Sequence, residues 1–147
     1  MPTSVDQAMT LFQQGFSCSQ AILAAHAPDL DLPHDTALKI AAGFGGGMGG
    51  HGEVCGAVTG AIMAVGLKTG SVEATDAAAK EKTYTLTRQV IEQFKARHGT
   101  ILCRELLGCD LSQPEGLQYA REAQLFTQRC PLFVHDAAEI VSALIEE

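Results

Sequence analysis

The sequence predicts an all-α fold, a single-domain bundle of about six to seven helices with a Gly-rich loop ahead of a buried central helix. Three observations carry this. Apolar residues recur at helical spacing nearly throughout, cap pairs and helix-ending glycines punctuate the chain, and no run alternates strictly enough for a strand. Its 147 residues give room for one compact domain with a real core and not comfortably for two.

Ser4 and Gln7 form a capping-box pair for a first helix carrying Val5, Ala8, Leu11 and Phe12, and Gly15 ends it. A second pair, Ser17 and Gln20, opens a helix with Ala21, Ile22 and Ala25 that stops before Pro28. This sets Cys18 at a first helical position. Asp35 or Thr36 starts a third helix, with Ala37, Ile40, Ala41 and Phe44 on one face. Residues 43–52 read Gly-Phe-Gly-Gly-Gly-Met-Gly-Gly-His-Gly, a loop free to adopt positive φ or to approach another group closely. From Val54 to Leu67 the residues are apolar or small on every side, the mark of a helix buried all round. Gly56 and Gly60, with Ala57 and Ala61, let neighbouring backbones come near.

Residues 72–98 read as a long amphipathic helix with Tyr84, Thr87, Ile91 and Phe94 as its inner stripe, ended by Gly99. Thr100 caps a short helix holding Cys103, Leu106 and Leu107, closed by Gly108. Pro114–Gln128 reads as one helix, with Leu117, Ala120 and Leu125 inward. The last helix carries Phe133, Ala137, Ile140 and Leu144. Its start is either Pro131, which suits a first helical position, or a later capping box of Asp136 and Glu139.

Ten Lys and Arg against 17 Asp and Glu give a formal charge of −7, which argues against nucleic acid or an anionic membrane surface as partner. The amino terminus has no basic segment followed by a long apolar one, and no stretch offers the roughly 18 apolar residues of a membrane span. The expectation is a cytoplasmic protein without membrane insertion. In that compartment five cysteines point to metal binding or redox chemistry rather than to a disulfide framework.

Four of the five share a setting. Cys18 follows a cap, Cys55 falls in the first turn after the Gly loop, Cys103 in the first turn after Thr100, and Cys130 just before a proline. A helix start presents free N–H groups and partial positive charge, which lowers a thiol's pKa and makes it a better nucleophile or metal ligand. Arg104 and Arg129 push the same way, while Glu53 opposes unless it points elsewhere. Any one such cysteine also fits as a small buried hydrophobe. Cys109, beyond Gly108, lacks the setting and reads as a passenger.

There is no Cys-x-x-Cys pair, so zinc-ribbon, thioredoxin-type and bacterial ferredoxin patterns are absent. Thiolates from four helices can still converge on an iron–sulfur cluster, or on zinc with the same residues. His51, inside the loop, is a candidate ligand or proton carrier but more simply an exposed polar residue. His98 reads as favourable charge at a helix end, and His135 stays open. The loop lacks the ending of a phosphate-binding loop. Beside Cys55 it more plausibly lets backbone N–H groups approach a cluster or a bound thiol, with Gly46, Gly47, Gly49 and Gly50 as the cofactor-binding candidates.

These residues resemble the C-GCAxxG-C-C family of redox-active proteins. The resemblance runs from Gly15-Phe16-Ser17-Cys18 through residues 43–52 and Cys55-Gly56-Ala57-Val58-Thr59-Gly60 to Cys103-Arg104-Glu105-Leu106 and Cys130-Pro131. The family's four cysteines fall on Cys18, Cys55, Cys103 and Cys130. The family is also similar to the amino-terminal part of split-Soret cytochromes c, haem proteins credited with an iron–sulfur centre. No Cys-x-x-Cys-His is present, so no haem attachment carries over. The resemblance implies a redox or metal-centred role and a homodimer.

The leading expectation is therefore electron transfer through a [2Fe–2S] cluster on Cys18, Cys55, Cys103 and Cys130, serving a redox partner protein or a small thiol or electron donor. The alternatives are a metal-free thiol–disulfide oxidoreductase using the same thiols and a zinc or metal carrier. In the oxidoreductase, Cys18 or Cys55 attacks and Cys103 or Cys130 resolves. The Val54–Leu67 helix could form a dimer seam, but burial inside the monomer is the simpler reading.

Overall fold

The structure, a computed structural model, describes residues 2–146. It is all-α. Its longer helices are α1 (Ser4–Gln13), α2 (Cys18–His26), α3 (His34–Ala41), α4 (Gly56–Thr69) and α5 (Ala77–His98). Beyond the short α6 (Cys103–Leu107) come α7 (Pro114–Glu122), the single turn α8 (Leu125–Gln128) and α9 (Cys130–Ile145). Among the described residues the only β-type pairing is one antiparallel bridge, Val54 to Leu102.

Caps explain most boundaries. The box on α1 uses Thr3 and Asp6, one residue ahead of Ser4 and Gln7. The Thr3 hydroxyl accepts from the Asp6 N–H at 3.1 Å, and the Asp6 carboxylate accepts from the Thr3 N–H at 3.0 Å. A carboxylate in the first turn also suits the positive helix end, which glutamine cannot match. On α2 the Ser17–Gln20 box stands as the sequence predicts, with Cys18 the first helical residue. Helix α3 starts one residue early, after Pro33, and its inner face is Ala37 and Ala41, while Ile40 is exposed.

Helix α4 is buried along its first turns and emerges at Leu67. A Cβ on Gly60 would lie 2.9 Å from Ile22 Cβ and 3.0 Å from the Ser19 carbonyl oxygen, so this small-residue face packs on α2 inside the monomer.

Helix α5 begins at Ala77, where Asp76 accepts from the Ala79 N–H at 3.0 Å, so residues 72–76 precede it. Its inner stripe is Val90 and Phe94, with Thr83 on the same side bonded to Thr69 at 2.7 Å. Tyr84 lies about 120° around the helix from Val90 and is exposed. Gly99 and Gly108, both at positive φ, close α5 and α6 as predicted. Thr100 does not cap α6 as the sequence predicts: the N-cap is Leu102, and Thr100, three residues ahead of the helix, accepts from the Leu102 N–H at 3.1 Å.

The single helix expected over Pro114–Gln128 is broken. Gln124 takes a left-handed φ of 57°, turning the chain between α7 and α8 so that Leu125 is buried. Helix α9 takes the earlier of its two starts, with Pro131 in its first turn. Asp136 is mid-helix and clasps α5 instead of capping, meeting His98 at 2.8 Å and Arg97 at 3.3 Å.

The core lies where α2, α4, α5 and α9 meet, around Ile22, Val58, Val65, Phe94, Val134 and Val141. His26 is buried within it, between the Ile22 carbonyl (2.9 Å from Nδ1) and the Ser142 hydroxyl (3.0 Å from Nε2). Nothing in the sequence around His26 marks it as buried.

Candidate redox centre

The four singled-out cysteines begin four helices. Cys18, Cys103 and Cys130 are the first residues of α2, α6 and α9, and Cys55 is the N-cap of α4. All four line one cavity of about 720 Å³. Cys55, Cys103 and Cys130 are buried, Cys18 is half-buried, and all are free thiols. Cys109 is not among the residues of that cavity and packs at the edge of the apolar core.

Backbone pairing fixes Cys55 beside Cys103. The Cys55 N–H donates to the Ile101 carbonyl at 2.7 Å, the Cys103 N–H to that of Glu53 at 2.7 Å, and the Arg104 N–H to that of Gly52 at 3.1 Å. The Gly loop makes this approach possible. Gly47 has a φ of 72°, and a Cβ there would sit 2.6 Å from the Glu53 nitrogen and 2.8 Å from Cys103 Cβ. Only glycine fits on both counts.

The loop spends several N–H groups on itself. Gly49 donates to Gly43, Gly50 to Gly45 and Gly52 to Gly46, at 2.9–3.1 Å. Gly46 and Gly47 border the thiol cavity. Gly49 and Gly50 do not; with Gly46 and His51 they line a separate, neighbouring one. His98 and His135 both turn to Asp136, so none of the three histidines considered from sequence reaches the thiols.

The thiols are not equally acidic. For Cys55, hydrogen bonding from the Cys18 thiol lowers its pKa, and the N–H groups of Ala57 and Val58 act with it, together outweighing burial. Cys18 goes the other way: hydrogen bonding to Cys130 and Cys55 holds its proton, and burial adds to the effect. Burial pushes Cys103 up to about 12. Cys109 is raised as well, by burial first and then by Asp110. The expectation that a helix start lowers each thiol thus fails at Cys18 and Cys103. The field of a helix end is outweighed at Cys18 by hydrogen bonding to its neighbouring thiols and at Cys103 by the cost of burying a charge. The arginines do not reverse this. Arg104 pairs with Glu53 at 3.1 Å, and Arg129 donates to the Leu106 carbonyl at 3.1 Å.

Residues 16–144 match the family model described as "Putative redox-active protein (C_GCAxxG_C_C)". The chain belongs to this family. Neither the curated proteins nor the solved structures hold a match to it. The matched span contains all four helix-start thiols, and the family's description is of a redox-active protein.

Four soft sulfurs in an apolar surround are the donor type that a thiolate-ligated group uses. Among the described residues, no three His, Cys, Asp or Glu side chains are gathered closely enough to hold a single metal ion. No helix among them is long and apolar enough to cross a membrane.

Proposed function

We propose that Cys18, Cys55, Cys103 and Cys130 are the ligands of an iron–sulfur cluster of the [2Fe–2S] type, used for electron transfer with a redox partner. The observation that carries this is the meeting of four helix-start thiols in one apolar cavity. When bound, such a cluster accepts and returns single electrons. The chain supplies the rest. Cys55 ionises more readily than Cys18 or Cys103 and is the natural first ligand, with the Ala57 and Val58 N–H groups favouring its charge. Cys18 and Cys103 lose their protons only against a metal's pull, so loading releases protons and weakens as the pH falls.

The test is iron and acid-labile sulfide content, with a visible spectrum, on protein purified without air and after reconstitution. Iron bound to the wild type and to Cys109→Ser, and lost on Cys55→Ser, supports the reading. Colourless, iron-free protein after reconstitution, or zinc as the only metal, overturns it.

A second reading has its own support in the unequal acidity of Cys18 and Cys55. Without metal, the Cys55 thiolate attacks a substrate disulfide and expels one thiolate. Cys18 then attacks Cys55, expels the second, and closes a Cys18–Cys55 disulfide. Cys18 and Cys103 both hold their protons, so either must give one up before it can resolve the mixed disulfide.

A further inference from the structure

The thiol cavity is far larger than its sulfurs need. At about 720 Å³ it falls in the range of small-molecule sites, and a four-atom iron–sulfur core would take up only a small part of it. The remaining wall includes Met9, Phe12, Phe16, Leu111, Phe126 and Phe133. Among the described residues no Asp, Glu, Lys, Arg or His lines it. Its polar side chains other than the thiols are Gln13, Ser17 and Thr127. Gln13 and Thr127 are exposed and mark the mouth, while Ser17 is committed to the α2 cap and to Ser19.

The wall is preformed. Phe133 is braced from behind by His98, edge-on at 5.0 Å, and by Phe94 at 6.2 Å. The Asp136 clasp holds His98 in turn, at 2.8 Å.

We propose that this cavity binds a neutral, apolar, ring-bearing small molecule directly over the thiols. An anion is excluded because it would leave water, find no cationic side chain and face the readily ionised Cys55. A ring is favoured because four phenylalanines surround the space and offer faces and edges at little entropic cost. The placement makes the molecule a partner of the redox centre and in that respect rests on the function proposed above. Binding itself requires no metal.

The probe is indole, with indole-3-carboxylate as its charged counterpart, added to reduced, metal-free protein and followed by ligand-observed NMR and calorimetry. Indole is expected to bind and the carboxylate to bind at least about tenfold more weakly. Bound indole should slow alkylation of Cys18 and Cys55 by iodoacetamide and leave Cys109, outside the cavity, unchanged. Phe126→Asp should weaken indole about tenfold or more, and Phe12→Ala, a milder change, should weaken it as well. Circular dichroism identifies any variant that has merely unfolded.

Equal binding of the two probes, no binding by folded wild type, or binding that leaves the thiols unprotected overturns the proposal. Iron content of the same preparation is measured separately. Indole binding without iron loading refutes only the cluster, and iron loading without indole binding refutes only this inference.

Discussion

Reduced, metal-free protein treated with iodoacetamide at pH 7 should be alkylated in a fixed order, with Cys55 well ahead of Cys103. Both are nearly inaccessible, at 4% and 7% exposure, so access does not separate them. Ionisation does. A thiol at its ordinary value of 9.0 is about 1% thiolate at pH 7, whereas Cys103 at about 12 is about 0.001% thiolate, a thousandfold less. A more basic thiolate is also more nucleophilic, which returns about fifteen- to thirtyfold, leaving Cys103 about thirty- to sixtyfold slower than an unshifted thiol. Cys55, shifted the other way, widens the gap. Per-residue labelling by mass spectrometry against time gives the two rates, with urea-unfolded protein as the unshifted reference. Cys18→Ala removes the largest contribution to the lowered Cys55 value and should move its pH–rate profile to higher pH. Equal rates for Cys55 and Cys103, or a Cys55 profile indifferent to Cys18→Ala, would refute the reasoning.

Three further outcomes follow from packing and burial. Gly47→Ala should cost about 2–4 kcal/mol, from a left-handed φ together with a Cβ driven against Glu53 and Cys103. Urea unfolding measures that loss, and iron loading should fall with it. Gly60→Ala gains helix propensity but places a methyl 2.9 Å from Ile22 Cβ, so a net loss of about 1–2 kcal/mol is expected in the same assay. His26 is held neutral by burial, which lowers its pKa from 6.5 despite the bond to the Ile22 carbonyl. The unfolded chain therefore takes up the proton first as pH falls. The resulting stability is complete above about 6.5 and is lost on acidification below it. Urea midpoints from pH 8 to 5 should fall, and fall less in His26→Gln.

Local chemistry was legible in the sequence wherever one residue type has few alternatives. The Ser17–Gln20 box, the stops at Gly99 and Gly108 and the placing of four cysteines at helix starts each depend on a side chain or a missing one within a single turn. Boundaries failed where two residues could do the same work, as with Thr3 and Ser4 before α1. The break at Gln124 left no sign, because glutamine is not a residue that advertises a left-handed φ. Tyr84 and Ile40 were placed inward because a helical stripe tells which residues share a face and not how far the neighbouring helix extends to cover it. The thiol acidities depend on which sulfurs meet and how deeply, a property of the assembled bundle that spacing does not encode.

The four thiols come from positions 18, 55, 103 and 130, so the cavity is assembled from residues more than a hundred positions apart. Its walls are complete only when α9 has docked on the earlier helices. During synthesis, the segments carrying Cys18 and Cys55 emerge and can form helices well before Cys130 leaves the ribosome. Closing loops of this length is slow compared with forming local helices. A group bound there would select fully folded molecules over partly folded ones and add its binding energy to their stability. Cofactor loading would then report that the helices carrying the four thiols have all docked.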